Sequence, residues 1–521
     1  MPAVLLVLAT ALGTGSSRAA EPPAAGAAVV VEPIEKVAPL VLAARANEVA
    51  TVRAMLAAHP APDINQRTAD GTSALHWAVY HGDSDLVTRL LAAGADANAR
   101  NDYGSTPMSE AAVRGDLPLL RALLAAGANV ESPNADGQTA LMIVARTSNV
   151  EAGEMLLAHG ANPNAHEQWR DQTALMWAAA QKQPAMVRLL LRHGASVAAR
   201  SLINDFTRQV TAEPRMQARP SGGFTPLLYA ARAGCLECAQ LLVKAGADPN
   251  LGDPDGVSPL LESILNLNFD VAAFLIKHGV DVDHWDTWGR SPLYAAVDLD
   301  TLPVGGRADR PSLDHTSSLQ VIRMLLVAGA NPNLQLKLFP PYRSLRDDRG
   351  ADSILTVGAT PLLRAAKAAD LPAIQLLLTH GANVELPTAT GISPLLAAAG
   401  VGSTALDTRG RYKTQPEAIL SVQALLDKGA DVNEADHSGQ TALHGAASWG
   451  WNDLVKTLAD RHANLMAKDA RGRTAADVAL GSASSSGRAS AEAHPETAAL
   501  LRQLMANGAQ PIAANGPLTR Y

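Results

Sequence analysis

Two kinds of short apolar stretch alternate along most of the chain. One is rich in alanine, as in Ala78-Val79 and Ala230-Ala231. The other ends in adjacent leucines, as in Leu90-Leu91 and Leu376-Leu377-Leu378, and a glycine follows within a few residues. Alanine lets helices approach closely, and glycine readily adopts the left-handed conformation that ends a helix. The pattern therefore predicts pairs of short, closely packed helices.

The glycine after the second stretch belongs to an element, Gly-Ala-Asp or Gly-Ala-Asn, that recurs along the chain. Several successive copies are 33 or 34 residues apart, and the others are 46 to 52 residues apart. A fixed period with longer steps indicates one structural unit that carries an insertion in some copies. The copies, including variants of the motif, begin at Gly94, Gly127, Gly160, Gly194, Gly246, Gly279, Gly329, Gly381, Gly429, His462 and Gly508.

A second landmark precedes each alanine-rich stretch: a threonine or serine, then proline or alanine, then an apolar residue. Threonine and serine cap helix N-termini, and proline is tolerated in the first turn, where its missing N–H had no partner. Examples are Thr106-Pro107-Met108, Thr139-Ala140-Leu141, Thr225-Pro226-Leu227, Ser258-Pro259-Leu260, Thr360-Pro361-Leu362 and Thr441-Ala442-Leu443-His444.

Together the two landmarks resemble the ankyrin repeat over residues 38–511. The resemblance implies an all-α ankyrin-repeat solenoid of about 11 to 12 helix-turn-helix units joined by hairpin fingers. It also implies an inner row of helices lining a concave face and an outer row behind it. The first unit (39–65) and the last (472–508) depart from the pattern and are expected to cap the array, since each has only one neighbour.

Five insertions interrupt the repeat. Lengthening a turn from about 5 to about 20 residues costs only about 1 kcal/mol, so insertions are easily tolerated as solvated loops. One of them carries Phe339, a proline pair and Tyr342, and it is either a binding element or a loop held by its own aromatic rings. We place finger insertions at 202–222 and 336–357, and insertions between paired helices at 299–317, 401–415 and 481–495.

The N-terminal segment has the features of an export signal. Residues 3–12 are apolar, and Ser17-Arg18-Ala19 suits a signal peptidase, which predicts a signal peptide over 1–19. No Lys or Arg precedes the apolar run, so the alternative is a cytoplasmic chain with a disordered tail. A Pro/Ala-rich linker (20–37) and a C-terminal tail (512–521) flank the array. The chain resembles exported bacterial ankyrin proteins, and we expect a periplasmic or secreted monomer with no membrane span after signal removal.

Composition narrows the choice of partner. The chain is 47% apolar and 18% charged, which indicates an ordered protein. Its net charge of -7 gives no basic excess of the kind that neutralises phosphates, so nucleic acid is not expected as a partner. Metalloprotease, Walker A and serine-hydrolase motifs are missing from the sequence, so we expect no enzyme activity and no cofactor.

Two pairs of residues are of types that can be reactive or bind metal ions. Cys235 and Cys238 are one helical turn apart, and three interpretations stay open: ordinary thiols, a disulfide, or redox or metal chemistry. No further ligands stand near them, so we expect no metal site. His76 and His444 match the histidine of the ankyrin helix start, and the resemblance implies that they tie one finger to the next by hydrogen bonds.

The resemblance leaves the concave face as the candidate binding surface. Trp, Tyr and Arg dominate binding hot spots, which predicts a non-catalytic scaffold that binds a protein; the alternative is a small molecule or glycan stacked on the aromatic fingers. Trp77 and Trp177 are expected to pack between units, whereas Trp169 and Trp288 are expected to be exposed at finger tips. The predicted contact residues are Tyr80, Tyr103, Arg114, Arg146, Trp169, Arg170, Phe224, Arg232, Trp288, Arg290, Phe339, Tyr342 and Trp449, with His81 and His437 beside them.

Overall fold

The structure is a computed structural model, and it describes residues 39–60, 62–204, 221–301, 314–338, 354–403, 413–481 and 493–507. Within these ranges the helices form twelve antiparallel pairs, which confirms the all-α repeat architecture. The first helices of the pairs are α1 Pro39–Arg45, α3 Ala74–His81, α5 Pro107–Arg114, α7 Ala140–Ala145, α9 Ala174–Ala180, α11 Pro226–Ala233, α13 Pro259–Leu265, α15 Pro292–Asp300, α17 Pro361–Ala368, α19 Pro394–Ala398, α21 Ala442–Ser448 and α23 Ala475–Ala479.

The second helix of each pair is amphipathic and slightly longer. These helices are α2 Val49–Ala57, α4 Ser84–Ala92, α6 Leu117–Ala125, α8 Val150–Ala158, α10 Pro184–Arg192, α12 Leu236–Lys244, α14 Phe269–Lys277, α16 Ser318–Val327, α18 Leu371–Thr379, α20 Gln415–Leu426, α22 Asn452–Asp460 and α24 Pro495–Ala506. We number the pairs as units 1 to 12.

The helices form two layers. Each odd-numbered helix packs against the next odd-numbered helix, and each even-numbered helix packs against the next even-numbered one. Alanines such as Ala78, Ala111 and Ala145 are fully buried in the first layer, while leucines such as Leu90 and Leu123 fill the space between layers. The buried side chains form one continuous core from unit 1 to unit 12. We call the first layer the inner helices and the second the outer helices.

The serine and threonine landmarks cap the inner helices as predicted. Thr106 Oγ1 accepts a hydrogen bond from Ser109 N at 3.1 Å, and Thr360 Oγ1 accepts one from Leu363 N at 3.1 Å. The two histidines connect neighbouring units, because His76 Nε2 lies 3.2 Å from Ser105 O and His444 Nε2 lies 3.1 Å from Arg473 O. Burial lowers the pKa of both imidazoles, so they are neutral at pH 7. Their predicted structural role is confirmed.

Asparagine side chains connect the units beneath the fingers. Asn98 Nδ2 donates to Gly127 O at 3.2 Å, and Asn98 Oδ1 accepts from Asn129 N at 2.7 Å, one unit further on. Asn65 and Asn164 make the same two contacts with their next units. The asparagine that follows the glycine element therefore has a role in stacking the units.

The insertions leave the helix pairs intact. In unit 8, α15 ends at Asp300 and α16 begins at Ser318, so the first two residues of the predicted insertion 299–317 belong to α15. Between units 5 and 6, the ends of the insertion form a short antiparallel ladder, β1 (Ile203–Asn204) with β2 (Ser221–Gly222). This small sheet was not predicted, because two-residue strands leave no periodic pattern in a sequence.

Candidate functional site

Aromatic side chains project from the fingers and from the C-terminal ends of the inner helices. We call this surface of units 1 to 6 the inner face. Tyr80, Tyr103 and Trp169 are 56%, 71% and 72% exposed. Large side chains that are mostly exposed contribute little to the stability of the fold, so much of their surface is available for contact with another molecule.

The finger that carries Trp169 is held by a buried carboxylate. Glu167 is buried, and its two oxygens accept hydrogen bonds from the backbone N–H groups of Trp169 and Arg170, each at 2.7 Å, and of Gln172 at 3.1 Å. Three hydrogen bonds to one carboxylate fix the backbone of the finger tip. Trp169 and Arg170 are therefore presented on a rigid support, which lowers the entropic cost of binding.

The finger that carries Tyr103 is fixed by its neighbours. Asp102 N donates to Asp70 O of the preceding finger at 2.8 Å. Gly104 has φ 72°, and a Cβ atom there would lie 2.7 Å from the backbone of Ala135 in the next finger. Glycine is thus required both by the left-handed turn and by the close approach. The contacts hold three successive fingers in register, with the Tyr103 ring on the outside.

A second group of residues lies where α1, α3 and α5 end. The Arg45 guanidinium is 5.6 Å from the centroid of the Trp77 ring, and Trp77 contacts both Tyr80 and His81. Arg114 Nη1 donates to Tyr80 O at 2.8 Å. An arginine of one unit thus covers a tryptophan of the next, and the arrangement is stabilised by cation–π attraction.

A similar arrangement occurs further along the array. Arg146 lies 4.8 Å from the centroid of the Trp177 ring. The indole Nε1 atoms of Trp77 and Trp177 are buried, and neither has a hydrogen-bond partner in the described part of the chain. Both tryptophans were predicted to pack between units. Each does pack against the core, but each also forms the floor of the inner face beneath an arginine.

Phe224 and Arg232 lie at the edge of the inner face in unit 6. Phe224 is half-buried, contacts Tyr229 edge-on at 5.4 Å, and lies 5.8 Å from the Arg232 guanidinium. Phe224 N donates to Ser201 Oγ at 2.9 Å, so the finger is joined to the chain that enters the insertion. Arg232 is exposed, whereas Phe224 offers only part of its ring.

Trp288 and Arg290 are buried, and the expectation that they are exposed is wrong. Both are only 5% exposed. Arg290 Nε donates to the fully buried Asp286 at 2.6 Å, and the guanidinium lies 5.1 Å from the Trp288 ring. The chain entering the insertion at 336–357 lies against this finger, because Lys337 N and Leu338 N donate to Trp288 O at 2.9 and 3.2 Å. Residues 337–338, at the start of this insertion, therefore lie against the Trp288 finger.

Trp449 lies in unit 11, outside the inner face of units 1 to 6. Trp449 is half-buried, stacks on Trp451 at 5.4 Å, and donates from Nε1 to Gly400 O at 3.1 Å, which ties it to the neighbouring unit. Phe339 and Tyr342 lie outside the described residues.

Arg45 belongs to the inner face and was missed. It stands in the sequence Ala43-Ala44-Arg45, which matches Val144-Ala145-Arg146 and Ala230-Ala231-Arg232. That match was the available signal. Unit 1 lacks the Thr-Pro landmark that identifies the equivalent positions in the other units, so the landmark alone does not reveal Arg45.

Glu262, on α13, is an acidic residue whose pKa is changed by burial next to Arg232. Its side chain is 12% exposed and lies 4.0 Å from the Arg232 guanidinium. Burial raises the pKa of Glu262 from 4.5 to about 7, and the positive charge of Arg232 opposes that rise. The native chain therefore holds a proton at Glu262 between pH 4.5 and 7 that the unfolded chain has released.

Replacing Glu262 with glutamine is expected to reduce the loss of folding stability as the pH rises. Because the native state binds more protons in this window, the free energy of unfolding of the wild type falls as pH rises from about 5 to about 8. The Glu262→Gln variant lacks this loss and should be more stable at pH 8 by about 2 kcal/mol. Urea unfolding at both pH values tests this. Equal pH dependence in the two proteins would contradict the assignment.

Cys235 and Cys238 form a disulfide at the start of α12. Cys235 is the N-cap residue, and its Sγ accepts a hydrogen bond from Cys238 N at 3.3 Å. Both side chains are buried, at the start of an outer helix. Of the three interpretations left open by the sequence, the structure shows the disulfide.

Replacing both cysteines with serine is expected to leave binding unchanged. A bridge that closes a loop of about four residues contributes about 2 kcal/mol at most by restricting the unfolded chain, and serine restores the N-cap hydrogen bond. Binding affinity and the urea midpoint should be measured for the double variant and for reduced wild type. A folded double variant that no longer binds its partner would show that the disulfide has a functional role.

The described residues hold no group of three or more His, Cys, Asp or Glu side chains arranged to bind a metal ion. Among the same residues, none of the helices has the length and hydropathy needed to cross a membrane.

Family models agree with the repeat architecture. A model of three ankyrin repeats matches residues 30–101, 108–201, 227–305 and 417–507, and a single-repeat model matches residues 357–389. These matches cover well over half of the chain.

Curated relatives match this chain over part of its length. Mouse (Mus musculus) inversin is 43% identical over 77 residues, which are 13% of this chain and 7% of inversin. Human (Homo sapiens) ankyrin repeat and SOCS box protein 16 is 31% identical over 168 residues, 32% of this chain and 33% of that protein. The mouse B-cell lymphoma 3 protein homolog is 29% identical over 209 residues, 35% of this chain and 43% of that protein. The chain spans less than half the length of each.

These relatives are eukaryotic, and none of these matches indicates the exported bacterial subtype that the sequence suggested. The repeated helix pairs, their serine and threonine caps, the histidine links between units and the family matches agree with one another, and the chain belongs to the ankyrin-repeat family.

Proposed function

We propose that this protein is a non-catalytic scaffold that binds another protein through the inner face of units 2 to 5. The observation that supports it is the exposure of Tyr80, Tyr103 and Trp169 on one side of the array, with both fingers fixed by hydrogen bonds. Rigid aromatic side chains surrounded by arginine are the residue types that contribute most to protein–protein affinity.

Site-specific photocrosslinking tests this proposal. A benzophenone amino acid in place of Tyr103 is expected to capture a discrete protein from native extract. The matched control places the same amino acid at Arg121, an exposed position of the outer helix α6. Capture from Arg121 and none from Tyr103 would contradict the proposal. Crosslinking of a glycan or metabolite at Tyr103, with no protein captured there, would favour the small-molecule alternative.

We also propose that the protein is exported, because the apolar segment and cleavage sequence in residues 1–19 have the features of a signal peptide. The disulfide between Cys235 and Cys238 supports this, since disulfides persist in oxidising compartments. N-terminal sequencing of the natural protein should find Ala20 as the first residue. A chain that retains residues 1–19 in the cytoplasm would contradict export.

A further inference from the structure

Three arginines of the inner face lie at the same end of the inner helices in units 1, 3 and 4. Arg45, Arg114 and Arg146 stand at or directly after the C-terminal residue of an inner helix, and all three are exposed. Two of them stack on tryptophan rings and the third donates to a backbone carbonyl. In the described part of the chain, none of the three pairs with a carboxylate.

Arginines of the outer helices have different partners. Arg53 and Arg89 both pair with Asp85, at 2.7 and 2.8 Å, and Arg188 pairs with Glu237 at 2.7 Å. These outer arginines are exposed like the inner ones but are neutralised by acidic residues of their own or the next unit. The positive charge of the inner arginines is thus left uncompensated on this part of the surface.

The row of arginines is confined to the N-terminal half of the array. Arg45 and Arg146 stand at the seventh position counted from the start of the inner helix, and Arg114 stands at the eighth. In units 7, 8, 9 and 11 the seventh position holds Leu265, Asp298, Lys367 and Ser448, and of these Asp298 and Lys367 are buried. In unit 6, Arg232 lies 4.0 Å from Glu262, so its charge is partly offset. The uncompensated charge coincides with the exposed aromatic residues Tyr80 and Tyr103.

Acidic residues near this row do not neutralise it. Glu110, on α5, accepts a hydrogen bond from Ser105 Oγ at 2.5 Å, which directs its carboxylate towards its own finger. Asp102 and Asp136 lie at finger tips, away from the helix ends that carry the arginines. Asp83 and Asp116 follow the ends of α3 and α5, but each accepts the N-cap hydrogen bond of the outer helix, from Leu86 N and Leu119 N. None of the ion pairs in the described part of the chain joins these carboxylates to Arg45, Arg114 or Arg146.

We propose that the partner binds this row of arginines through an acidic segment whose carboxylates pair with Arg45, Arg114 and Arg146. This inference rests on the proposed scaffold function and adds the chemistry of the partner. Guanidinium groups suit carboxylates because they can donate two parallel hydrogen bonds. A guanidinium held over an indole ring is oriented before binding, so less side-chain entropy is lost.

The spacing of the units sets the spacing of the acidic residues. Neighbouring helices pack about 8–10 Å apart, and an extended chain rises about 3.3 Å per residue. One acidic residue about every three positions of an extended segment would therefore match successive units. Because the arginines lie in units 1, 3 and 4, three such residues would be paired, and regular spacing supplies them in either direction of the segment. From unit 1 to unit 4 the row corresponds to about nine or ten residues of partner chain.

A synthetic peptide tests this directly. The probe is a fluorescein-labelled, ten-residue peptide with glutamate at positions 1, 4, 7 and 10 and Gly or Ser elsewhere, and the reference peptide has glutamine at those positions. Each exposed ion pair contributes modestly to the binding free energy. Three of them should make the affinity for the glutamate peptide about tenfold higher than for the glutamine peptide at low salt, as measured by fluorescence anisotropy. That advantage should shrink at about 0.3 M salt because of screening.

Two matched variants distinguish the effect of the inner-face arginines from the effect of net charge. The inner variant, R45Q/R114Q/R146Q, should lose the preference for glutamate, whereas the outer variant, R53Q/R89Q/R188Q, should keep it although it loses the same charge. Circular dichroism checks that both are folded. The proposal is overturned if wild type binds both peptides equally or binds neither, or if the inner variant keeps the preference.

The outcome is distinguishable from failure of the scaffold function. Crosslinking of a protein at Tyr103 together with no glutamate preference would leave the scaffold in place and reject the acidic segment. No crosslinking at Tyr103 would reject the scaffold itself.

Discussion

Replacing Tyr103 and Trp169 together with alanine is expected to weaken binding of the captured partner at least about 100-fold. Aromatic residues that become desolvated in an interface contribute about 2 kcal/mol or more each, and 1.4 kcal/mol corresponds to a factor of about ten in affinity. Both side chains are more than 70% exposed in the free protein, so removing them leaves no cavity in the fold. Helical content should therefore be unchanged.

Isothermal titration of the purified partner gives the affinity, and two outer-helix variants serve as controls. Arg188→Ala and Lys244→Ala remove exposed side chains of α10 and α12, on the opposite layer, and should change the affinity less than about twofold. If these outer variants lose binding while the aromatic pair is silent, the partner binds the outer layer or an insertion, and the inner face is the wrong surface.

The second large effect concerns stability. Asp298 on α15 and Arg364 on α17 form an ion pair between neighbouring inner helices, with Arg364 Nε 2.5 Å from Asp298 Oδ1. Arg364 is 1% exposed, and its Nη2 has no hydrogen-bond partner among the described residues. Asp298→Asn keeps the shape but leaves a buried positive charge without its counter-charge, which is expected to cost about 3–5 kcal/mol.

The double variant Asp298→Leu/Arg364→Met is the control for that interpretation. Replacing both members of a buried ion pair with apolar residues is often neutral, so the double variant should recover most of the lost stability. Urea unfolding, with hydrogen exchange of α15 and α17 to locate the transition, measures both. If the single variant is as stable as wild type, or the double variant is the less stable of the two, the pair does not act as a compensated buried charge.

The fold could be predicted from the sequence because its determinants are local and repeated. Thr106, Thr225 and Thr360 each precede a proline at the same register, and each caps a helix in the structure. A cap, an alanine-rich helix and a terminating glycine act within one unit of about 33 residues. Each unit contacts mainly its neighbours, so recognising the unit was sufficient to predict the array.

The candidate surface was predicted less completely, for two physical reasons. The burial of Trp288 could not be predicted, because the chain entering an insertion lies against its finger and the insertion has no repeat pattern from which its path could be inferred. Trp77 and Trp177 were assigned to packing, but whether an inner-helix tryptophan is covered depends on the arginine of the preceding unit. Exposure at these positions depends on contacts between neighbouring units, whereas the sequence pattern predicts the structure within a single unit.

The disulfide, too, could not be predicted from the sequence alone. The spacing of Cys235 and Cys238 allowed a bridge, but equally allowed two buried thiols at the start of an outer helix. Only the side-chain geometry distinguished the two interpretations.

Hydroxyl-radical footprinting of the partner complex is the most direct test that a protein binds the inner face of units 2 to 5. Tyr80, Tyr103 and Trp169 are exposed and readily oxidised, and each should be protected when the crosslinked partner is bound. Trp285 and Met466, which are exposed in later units, should be oxidised at the same rate with and without partner. Protection of Trp285 or Met466, with Tyr80, Tyr103 and Trp169 oxidised as before, would contradict the account.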